Sequence, residues 1–427
     1  MKISPWILLV LAVPVLLLGE QFVKRIRVLN RFNIPAPVVG GLFVCVLILA
    51  ANLMGLDITL EQKIQVPWWN WLVLTETQLF DNPSVDMIRP FLVAFFVCIG
   101  LNASWGLVKQ ASWQLPLFCL LAGGLTIVQN LTGIVAATAL GESPLLGLLC
   151  GSISLTGGHG TAIGFSDVIV EAGYSSASVV GVAAATFGLV AAGLLGGPVG
   201  GRLLKKNKLE ADKDPNSDSE ESTGQEETTT GFFYEVGQLH SSGQRAVFHL
   251  IIVVLCIKAG AWVSAGIEAV GLTFPVYIGA MIVGVITRNV IYFIKPDLIQ
   301  TWLVDLLASV FLGIFLSMAM MGLNLIELAN AAGPMLIILG LQVLVMGLYA
   351  YFITFRVMGK DYDAAVMAAG HCGFGLGATP AAVANMKAIT EKFGPAPRAF
   401  LVLPLVGAFL IDFINSLVIL GYLNFVT

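Results

Sequence analysis

Ten apolar runs, each about 17 to 25 residues long and separated by short polar connections, leave this chain few ways to fold. They lie at about Pro5 to Phe22, Pro37 to Met54, Phe91 to Val108, Leu115 to Leu140 and Ala177 to Leu204, then Ala246 to Ala265, Phe274 to Ile294, Trp302 to Leu323, Pro334 to Phe355 and Ala399 to Val426. In hydrocarbon every backbone N–H and C=O has to be satisfied within the protein, so runs of this length read as spanning helices. Composition agrees: 57% of the 427 residues are hydrophobic, only 11% are charged, and the mean hydropathy is +0.89. A water-soluble domain carries about 25% charged residues. A net charge of −4 gives no reason to expect nucleic acid. The six cysteines, Cys45, Cys98, Cys119, Cys150, Cys256 and Cys372, stand singly in apolar segments without C-x-x-C spacing, which argues against a disulfide framework or a zinc site. The apolar start lacks a small-x-small cleavage signal and is followed, not preceded, by Lys24, Arg25, Arg27 and Arg31, so it reads as a first span.

Charge orients the spans. If the N-terminus faces outward, all of the 22 Lys and Arg except Lys2, Lys63, Arg89 and Lys258 fall on the inner side, as positive-inside bias requires. Both termini are then expected outside. The chain divides into a first half at 1–203, a polar, low-complexity cytosolic tether at 204–243 and a second half at 244–427.

The halves repeat one another. FVCIGLN ends at Asn102 and MAMMGLN at Asn324; Gln129 and Gln342 stand in the next spans; Gly141 and Gly359 open the following loops. Each half then carries an apolar segment crowded with glycine, at about 145–165 and 363–384, and Thr161 and Thr379 keep the 218-residue offset of Gly141 and Gly359. Five spans per half is an odd number, so the second copy lies inverted. The expected fold is an all-α polytopic membrane protein of two inverted-topology repeats of five transmembrane helices, each with a Gly-rich re-entrant hairpin. Paired breaks of this kind are where secondary transporters bind their cargo.

Glycine lets a ligand approach the backbone, half-helix amides attract anions, and unwound carbonyls suit a hard cation. The candidate binding residues are therefore Thr156, Gly157, Gly158, His159, Gly160 and Thr161 in the first break, and Gly373, Gly375, Gly377 and Thr379 in the second. His159 and His371 fit either a proton relay or a hydrogen-bonded strut. Asp412 is sharper, because a mid-span carboxylate is expensive and marks a functional site. It is a candidate for a cation or a substrate ammonium, against a structural interhelical bond. Asn415, three residues on, shares its face. Asn102 and Asn324 are either helix caps or cation ligands, Gln129 and Gln342 are expected to bond between helices, and Lys258 is expected to snorkel to the outer interface.

The stretches TGGHGTA, AAGHCGFGLGATPAAVANMKAITEKFGP, FLVLPLVGAFLIDFINSLVI and FNIPAPVVGGL, with the paired GLN endings, resemble the bacterial sodium/glutamate symporters over nearly the whole chain apart from the tether. The resemblance implies uptake of L-glutamate coupled to Na+, no other cofactor, a multi-pass protein of the inner (plasma) membrane among its lipids, a homodimer and an elevator-like movement. Sodium and glutamate, as opposed to a proton and another dicarboxylate, rest on that resemblance alone. A sodium-coupled carrier of a hydroxycarboxylate such as citrate or malate is the nearest rival. An enzyme is not expected: there is no H-E-x-x-H, no G-x-S-x-G elbow, no paired intramembrane aspartates and no Walker-type loop.

Overall fold

A computed structural model describes residues 2–426 apart from 28, 30–33, 57, 62, 82–84, 104–112, 211–242, 270–274 and 296–297. Arg31, Lys109, the expected end of the third span and nearly all of the tether lie outside the described residues. Eight helices among those described are long and apolar enough to cross a membrane. They are α1 (Pro5–Arg25), α2 (Ala36–Leu53), α4 (Gln114–Ala139), α8 (Ala177–Asn207), α9 (Gly243–Ala269), α10 (Val276–Ile294), α11 (Thr301–Met321) and α12 (Leu325–Val357). The other two expected spans appear as the shorter α3 (Arg89–Asn102), and as α15 (Pro397–Leu405) and α16 (Ile411–Val426) joined by a π turn, Val406–Leu410. The first Gly-rich segment folds as α5 (Pro144–Leu148), a π turn, α6 (Gly158–Gly164) and α7 (Ser166–Glu171); the second as α13 (Tyr362–Leu376) and α14 (Thr379–Phe393).

Proline marks many helix starts, at Pro5, Pro37, Pro90, Pro144, Pro380 and Pro397, where its missing N–H costs nothing. One expected boundary is corrected: α12 begins nine residues before Pro334. The Asn324 side chain accepts from the Ile326 and Glu327 amides and caps the helix there, and Pro334 is carried inside it.

The helices sort into two groups, each drawn from corresponding parts of the two halves. One group is α1, α2 and α3 with α9, α10 and α11, which pack on one another. Between α3 and α10 the backbones nearly touch: a Cβ at Gly100 would run into the Met281 carbonyl, and one at Gly284 would lie 2.7 Å from the Val97 carbonyl. Small residues at such crossings gain van der Waals contact, which lipid-immersed helices need because no hydrophobic effect drives them together. The other group is α4, α8, α12, α15 and α16 with both Gly-rich segments, and α8 lies at its centre against α6, α12, α13 and α14. The groups meet where α3 touches the Val406–Leu410 turn and where Phe95 and Phe96 back onto Gly160.

Between α2 and α3 a small cap forms from two short helices, Pro67–Trp71 and Glu76–Asp81, and two-residue strands. Lys2–Ile3 pairs parallel with Thr59–Leu60, and Lys63–Ile64 antiparallel with Val85–Asp86. This cap corrects the expectation for Lys258. Its side chain does not reach water; the ammonium donates to the carbonyls of Trp71 (3.0 Å) and Leu74 (2.9 Å), sits 3.4 Å from Glu76 and stacks 4.2 Å from the Trp71 ring. A buried ammonium persists only where its donors are satisfied, and the cap satisfies them.

Candidate functional site

Both Gly-rich segments are broken helices, and the breaks touch. In the first, the π turn Leu149–Ile153 contains Gly151 in a non-helical conformation (φ −96°, ψ −142°), and the helix does not resume until Gly158, whose φ is +63°. Only glycine adopts that conformation cheaply. In the second, α13 stops at Leu376, Gly377 (φ −144°, ψ −85°) turns the chain, and α14 starts two residues later. A Cβ at Gly158 would lie 3.3 Å from the Gly377 carbonyl, so the two turns face each other at backbone distance.

Amide side chains from the neighbouring helices hold the broken backbone. Asn130 of α4 accepts the Ser152 N–H at 2.9 Å, and Asn415 of α16 donates to the Ser152 carbonyl at 3.0 Å, replacing the helix bonds that the π turn forfeits. Gln129 donates to the Gly375 carbonyl at 2.6 Å, and Thr156 donates to the Gln129 side-chain oxygen at 2.7 Å, so one α4 glutamine ties first break to second. Gln342 of α12 donates in turn to the Gln129 carbonyl at 2.7 Å. The expected Gln129 and Gln342 bond therefore exists, though it runs to backbone and not from amide to amide. All of these residues except Thr156, which is 6% exposed, are fully buried.

What makes this a candidate ligand site is the polarity left over. Buried in this region are Ser152 Oγ, Ser154 Oγ, Asn130 Nδ2, Asn415 Oδ1, Gln342 Oε1 and Tyr277 Oη, none with a hydrogen-bond partner among the described residues. An orphaned buried polar group costs about 1–3 kcal/mol. Several in one place give a hydrated ion or a polar solute something to satisfy. Asp412 lies one helical turn before Asn415 on α16. Its carboxylate makes no ion pair or hydrogen bond among the described residues, while its backbone carbonyl accepts from Ser416 at 2.7 Å.

The remaining candidates separate. Thr156, Gly158, Gly375 and Gly377 are brought together at the contact between breaks. Gly157 is crowded by the Thr161 side chain, Gly160 by Phe95, and Gly373 by the backbone of Ala382, so these three serve close packing within or beside the hairpins. Thr379 donates to the Gly407 carbonyl at 3.1 Å, tying the second break to the π turn that precedes Asp412. His159 pairs with Thr186 at 3.0 Å and His371 with Thr354 at 2.9 Å, the geometry of struts; His371 lies among the rings of Phe118, Tyr349 and Phe374. Asn102 donates to Asp305 at 2.6 Å within the first helix group, and Asn324 caps α12; no described bond of either reaches the breaks. Asn130, Ser152, Ser154 and Tyr277 escaped the sequence reading. Asn130 was findable, as a second amide beside Gln129 in mid-span, whereas Tyr277 comes from the other helix group and nothing in its local sequence marks it.

Away from the breaks, Arg89 of α3 pairs with Asp167 of α7 at 2.6 Å, bridging the two groups. Asp86 is close by, and burial, with Asp167 adding to it, pushes its carboxyl above the usual range against the pull of Arg89 and Lys63.

The chain matches the family model described as sodium/glutamate symporter over residues 1–395. It is 40% identical over 418 residues to the sodium/glutamate symporter of Escherichia coli (strain K12), covering 97% of this chain and 96% of the relative, and equally so to that of Shigella flexneri. It is 39% identical over 409 residues to the sodium/glutamate symporter of Haemophilus influenzae, covering 96% and 94%. No solved structure gives a significant match. A multi-pass helical protein with broken segments meeting among buried amides, aligned end to end with such relatives, belongs to the sodium/glutamate symporter family.

Proposed function

We propose that this protein takes up L-glutamate across the bacterial inner membrane, driven by Na+, and that cargo binds where the two breaks touch. Glutamate and sodium rest on the family match, and the placement of the cargo is supported by the approach of Gly158 to Gly377 beside buried amide and hydroxyl atoms without a described partner. Peptide N–H groups at the start of α6 and α14 suit the substrate carboxylates. Sodium, a hard cation, needs oxygens, which Asp412, Asn415 Oδ1, the Ser152 and Ser154 hydroxyls and the π-turn carbonyls can offer. Asn102 and Asn324 are weaker sodium candidates because each already has structural work.

The Gly-rich segments are read as re-entrant hairpins of two inverted repeats, with both termini outside and the 204–243 tether in the cytosol, as the distribution of Lys and Arg favours. Two groups of helices, one holding both breaks, fit an elevator-type movement of the second group against the first, with the first as the homodimer scaffold.

The deciding experiment is uptake of labelled glutamate into proteoliposomes with and without an imposed sodium gradient, with aspartate and citrate as competitors. Stimulation by the gradient and displacement by unlabelled glutamate support the assignment. Indifference to sodium would remove it, and citrate outcompeting glutamate would make the protein a hydroxycarboxylate carrier.

A further inference from the structure

The end of α8 carries a surface that the transport reading does not use. Gly193, Gly197 and Gly201 recur every four residues on its outward side, with Leu194 54% exposed and Pro198 exposed between them. No atom comes within 4 Å of where a Cβ would stand at Gly197 or Gly201, so the strip is bare backbone open to its surroundings, unlike Gly196 and Gly200, which are packed against Asn385 and Ile389. Directly beyond it, in the last two turns, come the exposed Arg202, Lys205 and Lys206. Together Gly197, Pro198, Gly201 and these three cations line an open cleft of about 650 Å³.

The neighbouring α12 extends the positive rim. The Lys206 ammonium lies 5.5 Å over the Tyr351 ring, and Arg356 stacks 5.5 Å from Phe352. Among the described residues no carboxylate lies within ion-pair distance of Arg202, Lys205, Lys206 or Arg356. Four cations gathered without a counter-charge among the described residues call for an anion. A side-chain-free apolar strip running from them toward the middle of a spanning helix calls for a hydrocarbon chain. A soluble anion answers only the first demand, and so does an acidic stretch of polypeptide. An anionic phospholipid answers both, and basic clefts at the cytosolic ends of spanning helices are where such headgroups collect.

We infer that the α8 cleft is a binding site for an anionic phospholipid, its phosphate held by Arg202, Lys205 and Lys206 and one acyl chain laid along Gly201, Gly197 and Gly193. The inference rests on the proposed topology only in naming the inner leaflet. Because α8 also packs against both broken segments, a bound lipid restrains the helix group that carries the cargo.

The test uses the full-length protein in detergent, delipidated in steps and examined by native mass spectrometry after addition of phosphatidylglycerol or phosphatidylcholine. Phosphatidylglycerol should be retained at least tenfold better than phosphatidylcholine. Replacing Arg202, Lys205 and Lys206 together by Gln should abolish that preference, and Lys205→Arg with Lys206→Arg should keep it. Gly197→Leu with Gly201→Leu, which fills the strip and leaves every charge, should reduce retention at least fivefold; both positions are open, so these variants fold. Water-soluble glycerol 3-phosphate should not displace the lipid at equal concentration. Equal retention of the two lipids, retention unaffected by the leucines, or displacement by glycerol 3-phosphate would each overturn the proposal. Failure of sodium-driven uptake in proteoliposomes would leave these readouts untouched, so the two readings fail separately.

Discussion

The two breaks share a glycine-rich sequence pattern, yet they are built differently. The first is polar: a π turn whose Ser152 backbone is held by Asn130 and Asn415, flanked by the partnerless hydroxyls of Ser152 and Ser154 and restarted through a left-handed Gly158. The second is nearly bare: α13 and α14 approach so closely that a Cβ at Gly373 would lie 2.6 Å from the Ala382 backbone, and the turn is made by Gly377 and Ala378 alone. One break offers side-chain oxygens and stands beside Asp412, while the other offers peptide groups. In the proposed reading the two interruptions are equivalent parts of a repeat, and the oxygens suited to a cation gather around the first.

That asymmetry is open to direct attack. If cation chemistry belongs to the first break and Asp412, then Asp412→Asn should weaken sodium stimulation of glutamate uptake by about 30-fold or more, in line with the 2–5 kcal/mol lost when one partner of a buried charge pair is truncated. Normal sodium dependence in that variant would dissolve the contrast. Next in size is Gln129→Leu, which strips the donor from the buried Gly375 carbonyl and the acceptor from Thr156. A loss of about 1–3 kcal/mol in substrate affinity, about tenfold, should appear in binding isotherms, without the selective sodium defect of Asp412→Asn.

Gly158→Ala forces a Cβ into a left-handed residue and toward the Gly377 carbonyl. The strain of about 1–2 kcal/mol should lower uptake several-fold, whereas Gly141→Ala, at φ +77° but with no atom near its Cβ, should slow uptake less. Equal effects would show that the contact between breaks is irrelevant. The smallest effect is expected for Arg89→Gln. Its pair with Asp167 joins the two helix groups but is partly solvent-exposed, so thermal stability should change by no more than about 1 kcal/mol. A larger loss would mean that the groups are locked together at this rim.

Much of this was legible because hydrophobic length and glycine density are local properties. Most expected spans and both interruptions correspond to helices and breaks within a few residues, the start of α12 being the exception. Legibility failed where a partner was distant. Lys258 looked like a snorkelling cation because its ligands, the Trp71 and Leu74 carbonyls, come from a cap 184 or more residues away. The two histidines fitted either a proton relay or a strut, and the partners that favour a strut, Thr186 and Thr354, come from other helices. Pro334 suggested a helix start because the proline rule is statistical and the Asn324 cap overrides it.

The amino-acid order by itself determined that this chain is a multi-pass helical membrane protein and where its helices break, since both follow from the cost of placing peptide groups and charges in hydrocarbon and from the local density of glycine. Only the tertiary structure decided that the breaks meet, that Gln129 joins them, that the candidate glycines divide between contact and packing, and that a stripped, cationic face remains on α8. Those outcomes depend on which helices lie side by side, and contacts between residues hundreds of positions apart leave no local trace in the sequence.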